Sequence, residues 1–565
     1  MSARNARAPR LWPAYLILAA TAVVLAGIWI PSDSPVGMSQ PTLTVIGVFA
    51  AALLLAVWWL FFSRTGFLTR LASTLVVVAF AGTASLLVEY RGLSGDLVPR
   101  FGWRGGATPA PVPPDPVEPT AAPSPAASGL PTPATGPEEA ARPAGASPPP
   151  SPAAASPTPG ASLRTHDFPQ FLGPSRDATL RGAGLARQWS TSPPVALWRQ
   201  PIGSGWSGFA VADGLAVTLE QRDGREMVSA RDLSTGKTRW SHRGGDGFES
   251  AMAGDGPRAT PAIEAGRVYT LGVNGRLTAL DLATGRMIFE KDVLAENGAR
   301  RPEHGVAASP LVVDGAVVVL AGGPGGRSLV AYDARTGERR WAGGDDPAAY
   351  SSPRVATLGG VRQVVVLSLR NLAGHDVRTG RVLWQDPWPD RAEKVSQPVV
   401  LDGDRVFVSM GYGIGGRMVK VSSTPEGSWR AEVLWRTQQL KAKFTQVVAH
   451  EGFLYGLDEG VLVCLDPANG ERRWKSGRYG HGQVLLVDDL LLVQAENGEV
   501  AMVDPKPDAH VELGRFRAVD GRAWATPALA GDLLLVRGDV EAACYRLPTA
   551  ARAAASPDAG GAGGR

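Results

Sequence analysis

The chain has 565 residues, with 68 glycines, 46 prolines, and 57 lysines and arginines against 53 aspartates and glutamates. A net charge of +4 scattered over that length excludes the basic stripe of a nucleic-acid surface, so no nucleic-acid partner is expected. The two cysteines, Cys464 and Cys544, form neither a Cys-x-x-Cys nor a vicinal pair, which excludes a disulfide framework, haem attachment and a cysteine zinc site.

Residues 1–92 read as a membrane anchor. Three apolar runs, at about 11–30, 43–62 and 71–88, contain no charged residue, and each is close to the ~20 residues that cross a bilayer as a helix. A cleaved signal peptide does not account for two further spans after the first. Arg4, Arg7 and Arg10 precede span one, Arg64 and Arg70 separate spans two and three, and the loop before span two has no Lys or Arg. The cation bias places the amino terminus in the cytoplasm of a bacterial inner membrane, and the third crossing delivers all that follows Val88 to the periplasm or cell exterior.

Residues 107–162 are dominated by Pro, Ala, Ser and Thr and cannot form a core. The composition predicts a disordered, semi-extended stalk reaching on the order of 100 Å. A docking site for a proline-recognising partner is its alternative reading.

Residues 164–548 are repetitive. The phrase Asp-x-x-Thr-Gly-x-x-x-Trp starts at Asp232, Asp281, Asp333 and Asp376, with a Phe at its end in the second copy and an Asn-Gly version at Asp466. It alternates with Ser/Thr-Pro starts such as "ATPAIEAG", "ASPLVVDG" and "ATPALAGD". Between them lie apolar runs with strand periodicity. A period of roughly 40 to 50 residues marks a propeller, here all-β and eight-bladed, with four antiparallel strands in each blade. Gly takes the positive φ of the hairpin turn and the Asp caps turn amides, so the phrase is structural. The last unit lacks a fourth strand, whereas "PVALWRQP" at 194–201 is a fourth strand with nothing before it; together they would close the ring without an open edge. The tail, 549–565, reads as disordered.

These repeats resemble the pyrroloquinoline quinone (PQQ) repeat family, which includes quinoprotein alcohol dehydrogenases and the propeller lipoprotein of the outer-membrane protein assembly machinery. The lead-in "DFPQFLGPSRDA" and the stretch at 457–483 look like the bacterial PQQ-binding-like propellers. The resemblance is specific for fold and poor for function. It implies that an enzyme of the family would bind PQQ with calcium in its central channel, use a catalytic Asp and often stack the quinone on vicinal cysteines. This chain has no such cysteines, so no cofactor and no catalysis are expected; a PQQ-dependent alcohol or sugar dehydrogenase with calcium is the alternative. The pairs Asp345-Asp346 and Asp488-Asp489 read as solvated loop carboxylates. "GYGIGG" at 411–416 precedes a strand-like run, and a dinucleotide fingerprint needs a helix there.

First strands line a propeller's channel, so residues just before each Ser/Thr-Pro start should meet at one mouth. Counting three back gives Arg258, Tyr350, Lys443 and Trp524, with Trp206, His304, Lys394, Lys441, Arg478 and His481 nearby. Rings and cations converging there would suit a small anionic or aromatic ligand. The sequence-based expectation is a membrane-anchored, extracytoplasmic scaffold for an unknown protein or such a ligand.

Overall fold

The computed structural model describes residues 11–29, 40–96, 98–104, 167–250, 252–390 and 393–551. The linker and the tail beyond 551 lie outside the described residues. Three helices, Trp12–Trp29, Gln40–Val57 with a π-helical turn Trp58–Phe62, and Phe67–Leu87, are long and apolar enough to cross a membrane. The third starts earlier than the apolar run, so Arg70 lies inside its first turn, where its guanidinium bonds Leu60 O at 2.8 Å. Val88 does not end that helix: it opens a hairpin, Val88–Leu93 paired with Pro99–Trp103.

Eight sheets make the ring, each with four antiparallel strands, and the seventh carries a fifth, parallel strand from the lead-in. Blade one is Ala210–Ala212, Leu215–Arg222, Arg225–Asp232 and Thr238–Asp246, and blades two to seven follow in chain order from Ala262 to Arg517. In blade eight, Ala528–Ala530, Leu533–Arg537 and Glu541–Arg546 are joined by Val195–Pro201, whose Trp198 faces Cys544. The expected closure is therefore present. Arg537 reinforces it from within: this fully buried guanidinium, on blade eight, donates to Ser207 O, Thr218 Oγ1 and Leu219 O at the start of blade one.

The repeated phrase does two jobs. Asp232 Oδ1 accepts the amides of Ser234 and Thr235, and Asp376 those of Arg378 and Thr379, which fixes each turn. The phrase's Trp then reaches the next blade: Trp198, Trp240 and Trp435 donate their indole N–H to Leu233 O, Leu282 O and Pro467 O. Each of these rings covers the turn glycine of the neighbouring blade, Gly236, Gly285 or Gly470, where a Cβ would strike the indole. The glycine is thus required both by φ near +70° and by close approach. Phe289 and Trp341 cover Gly337 and Gly380 in the same way, so an aromatic ring from one hairpin packs on the turn of the next blade at each of these joints.

The Ser/Thr/Gln before each start is equally structural. Gly208 N, Thr260 N, Ser309 N and Ser352 N donate in turn to Thr260 Oγ1, Ser309 Oγ, Ser352 Oγ and Gln397 Oε1 of the following blade, at 2.9 to 3.1 Å. Buried amides around the channel, which no strand ladder can reach, are satisfied this way.

The lead-in is a deep cross-channel strap. Phe168, 1 % exposed, pairs with Val211 of blade one, Pro169 O accepts from Ile263 of blade two, and Arg176 donates to Ser309 O and Pro310 O of blade three. Thr179–Leu180 then adds a parallel strand to blade seven. At the far end Leu185 pairs with Thr549 and Gly184 O accepts from Ala550, so the first residues of the expected tail are part of the fold.

The two acidic pairs read as solvated have structural partners, and Asp346 is buried. Asp345 caps Gly325 N, Asp346 accepts Arg370 N and Asn371, Asp488 caps Gly182 and Gly184, and Asp489 pairs with Arg187. "GYGIGG" is the hairpin turn between Arg405–Met410 and Gly415–Ser423.

Candidate functional site at the channel mouth

Above the strap the channel widens into a chamber of about 240 Å³. Its walls are the residues that precede the first strands, and its floor includes Phe171 of the strap. Six of the ten expected residues line it: Trp206, Arg258, His304, Tyr350, Lys443 and Trp524. Four do not. Lys394 is fully buried with its ammonium on Pro389 O, because the chain there turns Glu393 towards the chamber instead. His481 is buried beside Phe444, outside the lining, with its Nε2 3.1 Å from Asp96 Oδ1. Lys441 is drawn away by Asp458, at 3.0 Å, and Arg478 is exposed at the end of an outer strand.

Strand register shows what the counting missed. His450 pairs with Phe453 across a two-residue turn as Glu264 pairs with Arg267, so Val447 stands where blade two has Pro261. The residue three back is then Phe444, the centre of an aromatic arc. Its ring lies 5.1 Å from Trp524 and 5.2 Å from His481, and Trp524 lies 4.8 Å from Trp206. Counting turns rather than prolines would have found it. Arg522 stands over both indoles, 5.1 and 4.9 Å from their centroids, and Asp539 holds it there at 3.2 Å.

Across the ring, His304 stacks on Tyr350 at 5.9 Å and lies 3.9 Å from Glu393. Glu303, His304 and Glu393 bring their ligand atoms within 4.8 Å of one another. Burial, opposed by the nearby acidic groups Asp255 and Glu226, lowers Arg258 to about 10, and burial also lowers Lys443. Both cations are thus partly desolvated, the state in which contact with an anion or a ring is worth most.

The residues present do not fit PQQ with calcium. Cys464 and Cys544 are buried in third strands, opposite Trp474 and Trp198, and neither lines the chamber. Glu393 is the one carboxylate among the described lining residues, whereas calcium takes roughly six to eight oxygens.

A segment that sequence reasoning left unread enters this mouth. The tip of the hairpin that follows the third helix, Ser94 and Gly95, forms part of the chamber wall. Gly95 N donates to Glu496 Oε1 at 2.6 Å, Lys443 Nζ to Gly95 O at 2.5 Å and Arg522 Nη1 to Leu93 O at 2.8 Å. The available signal was the alternation of "VEYRGLSGDLVPRFGW", with Tyr90 opposite Phe101 and Val88 opposite Trp103.

The family model described as outer membrane protein assembly factor BamB matches residues 224–476. The BamB of Burkholderia pseudomallei is 24% identical over 361 residues, covering 55% of this chain and 88% of the relative. That of Shewanella oneidensis is 27% identical over 366 residues, covering 60% and 87%. Quinohemoprotein alcohol dehydrogenase ADH-IIG of Pseudomonas putida is 32% identical over 126 residues, covering 22% of this chain but only 16% of that enzyme.

Proposed function

We propose that this chain, whose repeats are those of the BamB-like PQQ repeat family, is a membrane-anchored scaffold that holds a partner protein on the outer side of a bacterial inner membrane. The observation that carries this reading is the channel itself. Two of its cations, Lys443 and Arg522, and the Glu496 carboxylate are engaged by the backbone of the chain's own hairpin tip, and the described lining offers one carboxylate and no cysteine for a quinone site. The likeness supports it too: assembly factors match over most of their length, the dehydrogenase over a sixth of its own. The cation bias of the loops supports a cytoplasmic amino terminus. Within the chamber, a small anionic or aromatic ligand would meet Arg258, Lys443 and Trp524.

The test is affinity capture of the full chain from its native membrane, in parallel with addition of PQQ and calcium to the purified protein. A stoichiometric partner protein, with no quinone absorbance retained and no dye reduction by alcohols or sugars, is the expected result. Retained quinone with dye reduction would overturn the scaffold in favour of a quinoprotein oxidoreductase.

A further inference from the structure

We infer that the channel mouth is a binding site for a tight Gly-Asp turn, whose resident ligand is the chain's own hairpin tip, Ser94–Asp96, and that a partner protein presenting such a turn competes for it. This inference does not depend on the identity of any captured partner.

The groups that contact the tip are also held by the propeller itself. Glu496 is fixed by Trp524 Nε1 at 3.0 Å and by His481 N at 3.1 Å, and it offers its remaining acceptor capacity to Gly95 N. Arg522 is fixed by Asp539 through its own amide and guanidinium and gives one donor to Leu93 O. Lys443 lies over the Tyr412 ring at 4.9 Å and gives a donor to Gly95 O. His481 faces the Asp96 carboxylate. Four propeller segments, those before blades six, seven and eight and the turn within blade seven that carries Glu496, thus read one amide, two carbonyls and one acid. Those are the features of a turn, whose backbone groups are not consumed by a strand ladder.

The site also selects against a side chain. A Cβ on Gly95 would collide with the His481 ring, although nothing in the backbone there requires glycine. On the turn side, Ser94 Oγ accepts from Asp96 N and Val98 N at 3.2 Å, which shapes the tip without using the groups the mouth reads.

Docking has a geometric consequence. The hairpin continues directly from the third helix, and Arg104 N bonds Leu87 O, so a docked tip holds the mouth against the membrane end of that helix. Tyr90, Phe101 and Trp103 remain 55 to 68 % exposed on the hairpin, as suits rings at a bilayer interface. The linker at 107–162 has length to spare for this arrangement and for release. The tether makes docking intramolecular, with an effective concentration on the order of millimolar, so a competing turn needs either higher affinity or a second contact on the blades.

The experiment uses the full chain in lipid nanodiscs with Val98→Cys as reporter, a position that shapes the tip only through its backbone; the native thiols Cys464 and Cys544 are buried and stay silent. Maleimide labelling of the tip should be at least tenfold slower than that of the same thiol in a free hairpin peptide. Gly95→Val, and separately Lys443→Ala on the propeller side, should each remove the protection. Millimolar cyclised hairpin peptide of sequence 88–103 should raise the labelling rate, and its Gly95→Val version should not. Deuterium uptake at 93–98 gives the same reading without a thiol. Labelling unaffected by either substitution, or by the peptide, would overturn the proposal.

Discussion

Two segments outside the eight repeats enter the channel, one from each flank of the linker, and they are attached in opposite ways. The strap, from Phe168 to Leu180, is held by backbone pairing to blades one, two and seven, by the buried side chains of Phe168 and Leu172, and by Arg176. The hairpin tip is held by single polar contacts to Glu496, Lys443, Arg522 and His481 and buries little apolar area. Burial of apolar surface stabilises by about 25 cal/mol per Å², whereas a polar contact exchanged with water yields about 1 kcal/mol net. The strap is therefore part of the folding unit, and the tip is a ligand of it.

The largest effect should come from the strap. Phe168→Ala removes a buried ring between blades one and eight and should cost about 3 to 5 kcal/mol in denaturant unfolding of the propeller. A loss below about 1 kcal/mol would place the strap with the hairpin rather than with the core.

Next is a pH effect confined to the ring of blades. Burial raises the Glu226 carboxyl to about 7, even though it accepts Val273 N at 2.8 Å. Between the unfolded value of about 4.3 and that folded value, the native state keeps a proton the unfolded chain has released, so stability falls as pH rises through this window. Glu226→Gln keeps the acceptor and should be on the order of 2 kcal/mol more stable than the parent at pH 8 and nearly equal to it at pH 4. Parallel stability curves for the two proteins across this range would refute the assignment.

A smaller loss is expected at a blade turn. Asp333 accepts Arg335 N and Thr336 N, and these bonds hold its carboxyl below the ordinary range. Asp333→Ala should cost about 1 kcal/mol by thermal unfolding and leave tip protection unchanged. Loss of protection would mean that blade turns and mouth are not separable.

Asp96→Ala should be the smallest in stability, within about 0.5 kcal/mol of the parent, while loosening the tip in deuterium exchange. Matching losses in both measurements would erase the distinction between strap and hairpin.

How much was legible in the chain follows from how each feature is encoded. The blade phrase repeats, so its period gave the blade number, and the orphan fourth strand at Val195–Pro201 gave the closure. The mouth residues were found where a Pro marks the register, as at Arg258, Tyr350 and Trp524. Where the Pro is lost, the count reaches Lys443, which does line the mouth, but passes over Phe444 at the register position, because only the hairpin turn fixes strand register there. Lys394 was drawn in by its position beside a start, but side-chain direction decides lining, and its neighbour Glu393 takes that place.

Local pattern by itself therefore determined the helices, the eight blades and the ring they form, because apolar periodicity and turn chemistry act over a few residues. The tertiary structure alone decided that a strap crosses the channel and that a hairpin from the membrane anchor fills its mouth. Gly95 stands 401 residues from Glu496, and Arg176 stands 133 from Ser309. Contacts at such separations are set by where the closed ring brings its strand ends, which no local spacing in the sequence records.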